Sequence, residues 1–336
     1  MVKIKDVARL AGVSSATVSR VLNGVSTVDA DMAEQVRAAA KSLDYRANGV
    51  ARSLRLQRTD VWALIISDIG NPFFTAVARG VEDVAQREGF SVVLCNTDEN
   101  SDKEARYIDV AEREQVAGVI MSPNMFGSDI SRLTSAGIPV VAIDRPLREP
   151  VDSVLVSSGD GARDAVLHLF EQGWTRPACV TGPAQADTAE QRLAGYREAF
   201  ARTGRRPARS LVRHGDYRAE AAQSAVASLL DSPHPPDSFF VANSSMALGA
   251  LAEFTRRRLV PGKDVGLVAF DDAPWAKFVS PPLSVVVQPT YDIGVRAGEL
   301  LLERVRRLTD AKPRIVMLST ELVVRESSLR RGRRRS

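Results

Sequence analysis

The chain is poor in the residues that usually announce chemistry or cross-linking. Its 336 residues hold two cysteines, three histidines and three tryptophans, and aromatics make up only 6%. Cys95 and Cys179 stand far apart and form neither a disulfide framework nor a metal-ligand spacing, as expected of a reducing cytoplasm. His168, His214 and His234 are scattered, and His168 falls in a helix-like stretch where a structural role is the plain reading. There is no P-loop and no G-x-S-x-G. The expectation is therefore no catalytic residue, no metal, no cofactor and no enzyme. No apolar run approaches the roughly 18 residues of a membrane helix, and "MVKIKDVARLAGVSS" has no apolar h-region. A cytoplasmic location without membrane contact is expected.

Charge is plentiful but unevenly spread. Residues 1–58 carry ten lysines and arginines against five acids, and the last eight residues, "LRRGRRRS", add five arginines. The net charge of the whole chain is only +4, so the intervening stretch nets −6. A basic head on an acidic body suggests a polyanion-binding module joined to something else.

The head supports that reading. In "IKDVARLAGVSSATVSRVLNG", Val7, Ala8, Leu10 and Ala11 fall at helical spacing. Gly12 suits a left-handed helix end, and Ser14 can cap a second helix through the amide of Ala16 or Thr17. That helix should bury Val18, Val21 and Leu22. A third, over residues 30–43, supplies Met32, Val36, Ala39, Ala40 and Leu43 to a small core. Helix, glycine turn and a helix that opens on small polar residues make a helix-turn-helix, whose second helix enters the major groove. The DNA-facing set is Ser15, Ala16, Thr17, Ser19 and Arg20, with Asn23 at the helix end. Arg20 has the fork that reads guanine, and Ala16 offers apolar contact to a thymine methyl. An ordinary three-helix bundle is the bland alternative.

From Asp60 the pattern changes to short apolar runs separated by helix-length segments: "VWALIIS", "FSVVLCN", "AGVIMS" and "PVVAID", then "PACVTG", "SFFVAN" and "DVGLVAF". Two such series predict two α/β lobes with parallel sheets and a ligand crevice at the carboxyl ends of the strands. Asp68, Asn71, Phe73, Phe74, Asp144, Arg145, Thr188, Arg192, Asp271, Asp272 and Trp275 all follow strands. Carboxylates, amides and aromatic faces together suit a polyhydroxylated ligand. Singly, Phe73 and Phe74 read as core, Asp68 as a helix cap and Arg192 as a surface ion pair. The effector-binding set is Phe73, Phe74, Asp144, Thr188, Arg192, Asp271 and Trp275.

"IKDVARLAGVSSATVSRVLNG" followed by "ANGVARSLR" resembles the start of the LacI/GalR family of bacterial transcription repressors, and the resemblance runs over roughly residues 3–328. It implies a helix-turn-helix over 1–45, a hinge helix over 46–59 and a periplasmic-binding-protein-like core for effector binding and dimerisation over 60–328; the arginine-rich 329–336 fall outside it and read from their composition as a basic disordered tail. It implies that Phe73, Phe74, Arg192 and Asp271 line the effector cleft. It also implies that the last helix and strand, "YDIGVRAGELLLERV" and "RIVML", cross back into the first lobe. The expected partners are near-palindromic double-stranded operator DNA, a second copy of the chain, and a sugar, sugar acid or sugar phosphate. A secreted sugar carrier shares the core but lacks the head. The chain departs from the family at Ser157-Ser158, usually Asp-Asn, and at Asn243-Ser244, usually Asn-Asp. The tail has no heptads, hence no coiled-coil tetramerisation segment.

The resemblance gives "RANGVARSLRLQ" a role. Asn48, Ala51 and Arg52 match a helix that orders on DNA, and Leu54 matches a wedge that enters the minor groove and kinks the duplex. Where the family usually has proline before the asparagine, this chain has Ala47. Proline fixes φ and lowers the ordering cost by about 0.4–1 kcal/mol. Ala47→Pro is thus expected to tighten operator binding by that amount per protomer and to leave effector affinity unchanged. Unchanged or weaker operator binding in a gel-shift titration would refute it.

Overall fold

The computed structural model describes residues 2–22, 28–45, 59–308 and 311–330. The chain divides into two units, Met1–Thr59 and Asp60–Ser336. In the first, α1 (Ile4–Leu10), α2 (Ser15–Leu22) and α3 (Ala30–Ser42) close on Val7, Ala8, Val18, Val21, Ala33, Val36, Ala39 and Ala40. Gly12 takes φ 65° between α1 and α2. The Ser14 hydroxyl accepts from the Thr17 amide at 3.1 Å, and Asp29 caps α3 through the amides of Asp31 and Met32. Two residues expected in this core are not there. Leu10 and Met32 are exposed, because α1 and α3 turn Val7, Ala8 and Ala33 inward instead. Asn23 and the hinge residues Asn48, Ala51, Arg52 and Leu54 lie outside the described residues.

In the second unit the first lobe is built on β1 (Val61–Ile66), β2 (Ser91–Asn96), β3 (Gly118–Met121), β4 (Val140–Ile143), β5 (Asp152–Val156) and β11 (Ile315–Leu318), in the order β11-β5-β4-β3-β1-β2 and all parallel. The second lobe is built on β6 (Pro177–Thr181), β7 (Val212–His214), β8 (Ser238–Val241), β9 (Gly266–Phe270), β10 (Ser284–Val287) and β12 (Glu321–Val323), in the order β12-β10-β9-β8-β6-β7. Only β12 runs antiparallel. The two orders correspond strand for strand, and each reverses at its first strand, where a crevice opens. Burial alternates along β1. Trp62, Leu64 and Ile66 enter one core of the first lobe, while Ala63 and Ile65 enter the other.

Three chain crossings join the lobes: from β5 into α7 (Ser158–Glu171), from β10 into α11 (Thr290–Val305), and from β11 into β12. The last helix and β11 therefore belong to the first lobe, where α11 packs along α4 (Pro72–Arg87) and β11 pairs with β5. The buried Asp152 carboxylate fixes this return by accepting from Arg304 at 2.8 Å and from the Arg314 amide at 2.7 Å. Ser157-Ser158 lies at the first crossing and lines neither of the lobe-to-lobe cavities described below. The Ser157 amide instead donates to Leu318 in the third crossing, at 3.0 Å. β5, β7, β10 and β12 are additional to the strands expected from the sequence. Among the described residues, no helix is long and apolar enough to cross a membrane.

The contact of α4 with α11 is close enough to touch backbone. A Cβ on Gly294 would stand 2.1 Å from the Val77 carbonyl oxygen, and one on Gly80 would stand 2.2 Å from that of Tyr291. Gly294→Ala should force the helices apart and cost about 1–3 kcal/mol. Urea unfolding checks this, and a midpoint equal to wild type would show that the helices yield without cost.

Candidate functional site

The DNA-reading candidate is the exposed side of α2. Ala16 and Arg20 are exposed, while Ser15, Thr17 and Ser19 are half-buried. The Thr17 hydroxyl lies 2.9 Å from that of Ser14, so it is partly engaged in the helix start. Arg20, at the last turn, is the longest reach on this face. The helix presents small side chains at its start and one guanidinium at its last turn, which suits major-groove entry.

The second candidate is a cleft of about 280 Å³ between the lobes. Its wall collects strand ends from both sheets: Ser67, Asp68 and Asn71 after β1, Asp98 and Glu99 after β2, Met125 after β3, Asp144 and Arg145 after β4. The second lobe adds Thr188 at the start of α8 (Asp187–Arg202), Asp216, Tyr217 and Arg218 after β7, Asn243 after β8, Asp271 after β9 and Gln288 after β10. Phe73 and Phe74 open α4, whose cap is the Asn71 side chain accepting from the Phe73 amide at 3.0 Å. Both rings are buried and meet edge-on at 4.9 Å, so they are core and cleft wall at once.

Each lobe contributes one carboxylate by the same device. Asp144 and Asp271 follow corresponding strands with φ of 65° and 74°. Their amides bond across to the next strand, at 3.3 Å to Val154 and 2.9 Å to Val286. Left-handed φ is uncommon outside glycine but tolerated by aspartate, and it points a side chain away from the sheet. Burial raises both carboxyl pKa values. Arg145 and Arg192 partly offset this at Asp144, and Arg192, Gln288 and the Ser244 amide do so at Asp271. Gln288 donates to Asp271 at 2.6 Å.

The two buried guanidiniums are not equivalent. Arg145 forms a two-pronged pair with Glu99, at 2.6 and 3.0 Å, and donates to the Pro123 carbonyl at 3.1 Å. Burial works against its charge, but Asp144 and Glu99 outweigh it and hold the pKa above the usual arginine value. Arg192 donates to the Ala242 carbonyl at 2.6 Å and lies 3.8 Å over the Phe270 ring. Its buried Nε, like that of Arg145, has no hydrogen-bond partner among the described residues. A polar group left dry and unpaired is costly unless something arrives to meet it. The Tyr217 hydroxyl, 2.8 Å from Thr188, adds a further donor or acceptor.

The cleft brings together Phe73, Phe74, Asp144, Thr188, Arg192 and Asp271. Trp275 is the exception. A tight turn, with Ala276 bonded to Ala273 and Phe278 to Trp275, lays its indole against the second-lobe core instead. Asp272 pairs with Arg325 at 2.7 Å and faces an adjoining cavity of about 520 Å³. Asn243 lines the cleft while capping α10 (Ser244–Arg257), accepting from the Met246 amide at 2.8 Å. Tyr217 and Gln288 follow β7, of only three residues, and β10, neither of which is among the strands expected from the sequence. "VAID" and "VAFD", repeated at the ends of β4 and β9, were a signal for the paired carboxylates.

Comparison with known proteins gives two matches along the chain. Residues 3–48 match bacterial regulatory proteins of the lacI family, and residues 166–328 match a periplasmic binding protein-like domain. A ribose operon repressor from Halalkalibacterium halodurans is 36% identical over 329 residues, covering 98% of this chain and 97% of that protein. The structure of a transcriptional regulator CelR–cellobiose complex is 32% identical with a TM-score of 0.73, covering 97% of this chain and 100% of that one. A lac repressor dimer bound to operator and the anti-inducer ONPF is 28% identical with a TM-score of 0.85, covering 98% and 99%.

A raised carboxyl pKa means that the fold favours the protonated form. The associated stability is present below the unfolded-state pKa and is lost as pH rises through the folded value. Asp144→Asn removes that penalty. Its melting temperature is expected to exceed wild type at about pH 8 and to differ less at about pH 4. Equal shifts at both pH values would show that the buried charge carries no penalty.

Proposed function

The chain belongs to the LacI family of bacterial regulatory proteins, which are DNA-binding transcription regulators and not enzymes, and from that premise we propose how this member works. It is a cytoplasmic repressor that binds a near-palindromic operator as a homodimer, with Ala16 and Arg20 of each α2 against base edges and Leu54 as the minor-groove wedge. One recognition helix spans few base pairs, so two copies are needed for specificity. The dimeric lac repressor is consistent with this, as are Val93 and Leu94 exposed on the edge strand β2. Effector and operator are linked through the lobes, so each changes the affinity of the other by the same factor.

The effector is a neutral polyhydroxylated sugar. The observation that carries this is the charge of the cleft wall, six carboxylates against three guanidiniums, with Arg145 already held by Glu99. An acidic sugar or sugar phosphate would meet net negative charge. A neutral sugar gives its hydroxyl protons to Asp144 and Asp271, takes a hydrogen bond from Arg192 and rests on the faces of Phe73 and Phe74. The relatives named for ribose and cellobiose agree with that class.

A gel shift on DNA upstream of the gene, with D-ribose, cellobiose and ribose 5-phosphate as probes, tests the reading. A salt-sensitive specific shift is expected, altered by a neutral sugar. Asp271→Asn should abolish the sugar response, a loss of about 10–100-fold in sugar affinity, and keep the shift without sugar. A response to the phosphate ester alone would overturn the neutral-sugar assignment, and no specific shift would overturn the repressor.

A further inference from the structure

The strongest charge feature outside the cleft and the head lies on the second lobe. Residues 202–213, which join α8 to β7, hold five arginines and no acid. The stretch 59–328 containing them nets −6, so positive charge is gathered here rather than spread for solubility. Arg202 pairs with Glu198 at 2.7 Å, and Arg213 spends its Nη1 on two backbone carbonyls. Arg205 lies 4.7 Å over the Phe170 ring. Arg206 and Arg209 are exposed, and their side chains have no hydrogen bond or ion pair among the described residues.

A second basic element meets the first. Arg330 lies 4.9 Å over Trp174 and donates to the Gly173 carbonyl. Phe170, Gly173 and Trp174 are neighbours at the end of α7, so the loop and the start of the C-terminal sequence arrive at one corner of the lobe. Four more arginines follow Arg330 in the chain. Ser327 and Ser328 pin this exit by accepting from the Ser284 amide at 2.8 Å and lying 2.7 Å from His168 Nε2.

We propose that this corner is a second contact for duplex DNA, independent of base sequence and separate from α2. Cations strung along an open loop fit a line of phosphates better than one small anion. A protein partner would ask for an apolar centre, and the loop offers none, since Leu211 is buried and Val212 half-buried. Single strands would ask for stacking faces, and the rings here are covered by Arg205 and Arg330. Because the loop belongs to the effector-binding unit, a molecule held at its site by the head can take hold of another DNA segment.

The test uses the full-length protein. Bead-bound DNA from upstream of the gene is loaded with protein, washed, and offered a labelled duplex of unrelated sequence at low salt. Wild type should capture it. Arg206→Ser/Arg209→Ser should capture several-fold less, with the slope of log K against log salt reduced by about 1.8, roughly 0.9 per lost phosphate contact. Binding to the bead DNA and the far-UV spectrum should be unchanged. No capture by wild type, or equal capture and slope in the double variant, would overturn the proposal. If the upstream DNA itself is not bound, the repressor reading fails separately. Anisotropy of the unrelated duplex on free wild type and on the double variant then decides the arginine corner alone.

Discussion

A parallel sheet buried on both faces has nowhere to put a charge except where its strands end. Trp62, Leu64 and Ile66 fill one side of β1 while Ala63 and Ile65 fill the other, and the first polar side chains come only after Ile66. The same constraint acts on the inner parallel strands of both lobes, and their carboxyl ends face a common crevice. The site is therefore less an ornament on the fold than the place to which the fold expels its polar groups. What arrives there is then dried again by the facing lobe. Asp271 and Arg192 are buried and Asp144 is half-buried, and the Nε atoms of Arg192 and Arg145 have no hydrogen-bond partner among the described residues.

That incompleteness gives the proposed effector a means of transmitting a signal. The lobes are linked by three chain crossings, and charge acts across the cleft between them, as the Arg192 guanidinium does on Asp144. A ligand that bonds to Asp144 on one side and Asp271 on the other changes the balance between open and closed arrangements by its preference for one of them. The crossings are themselves coupled, since Ser157 bonds to Leu318 and a Cβ on Gly161 would collide with both Val286 and Thr320. Movement at one crossing is felt at the other two.

Much of this was legible in the residues. The head was readable because helix, glycine and cap follow each other at fixed spacing, and Ser14 does cap as its position suggests. The apolar runs announced eight of the twelve described strands, and the residues after them named nine that line the cleft, Asp68, Asn71, Phe73, Phe74, Asp144, Arg145, Thr188, Arg192 and Asp271. What escaped was short or indirect. β7 has three residues, and its loss hid Tyr217. β10 ends at a half-buried Val287, and its loss hid Gln288. Glu99 could not be found from spacing, because its partner Arg145 stands 46 positions away and only the sheet order brings them together. Trp275 was misplaced because a strand end fixes where the chain emerges but not which way the turn beyond it rolls. Leu10 and Met32 failed for a related reason, since short helices give little periodicity to tell one face from the next.

The glycine-mediated contact of α4 with α11 ties the beginning of the core to its end. The first lobe is the first part of the core to leave the ribosome, yet its sheet lacks β11 and its longest helix lacks its partner until residues 290–318 have been made. The second lobe, apart from its edge strand β12, is uninterrupted from α7 to β10 and can close earlier. During synthesis the surface of α4 that α11 will cover stays bare while some two hundred further residues are added. The lobe that is made first is thus finished last, and the interval is when the nascent chain is most open to wrong partners.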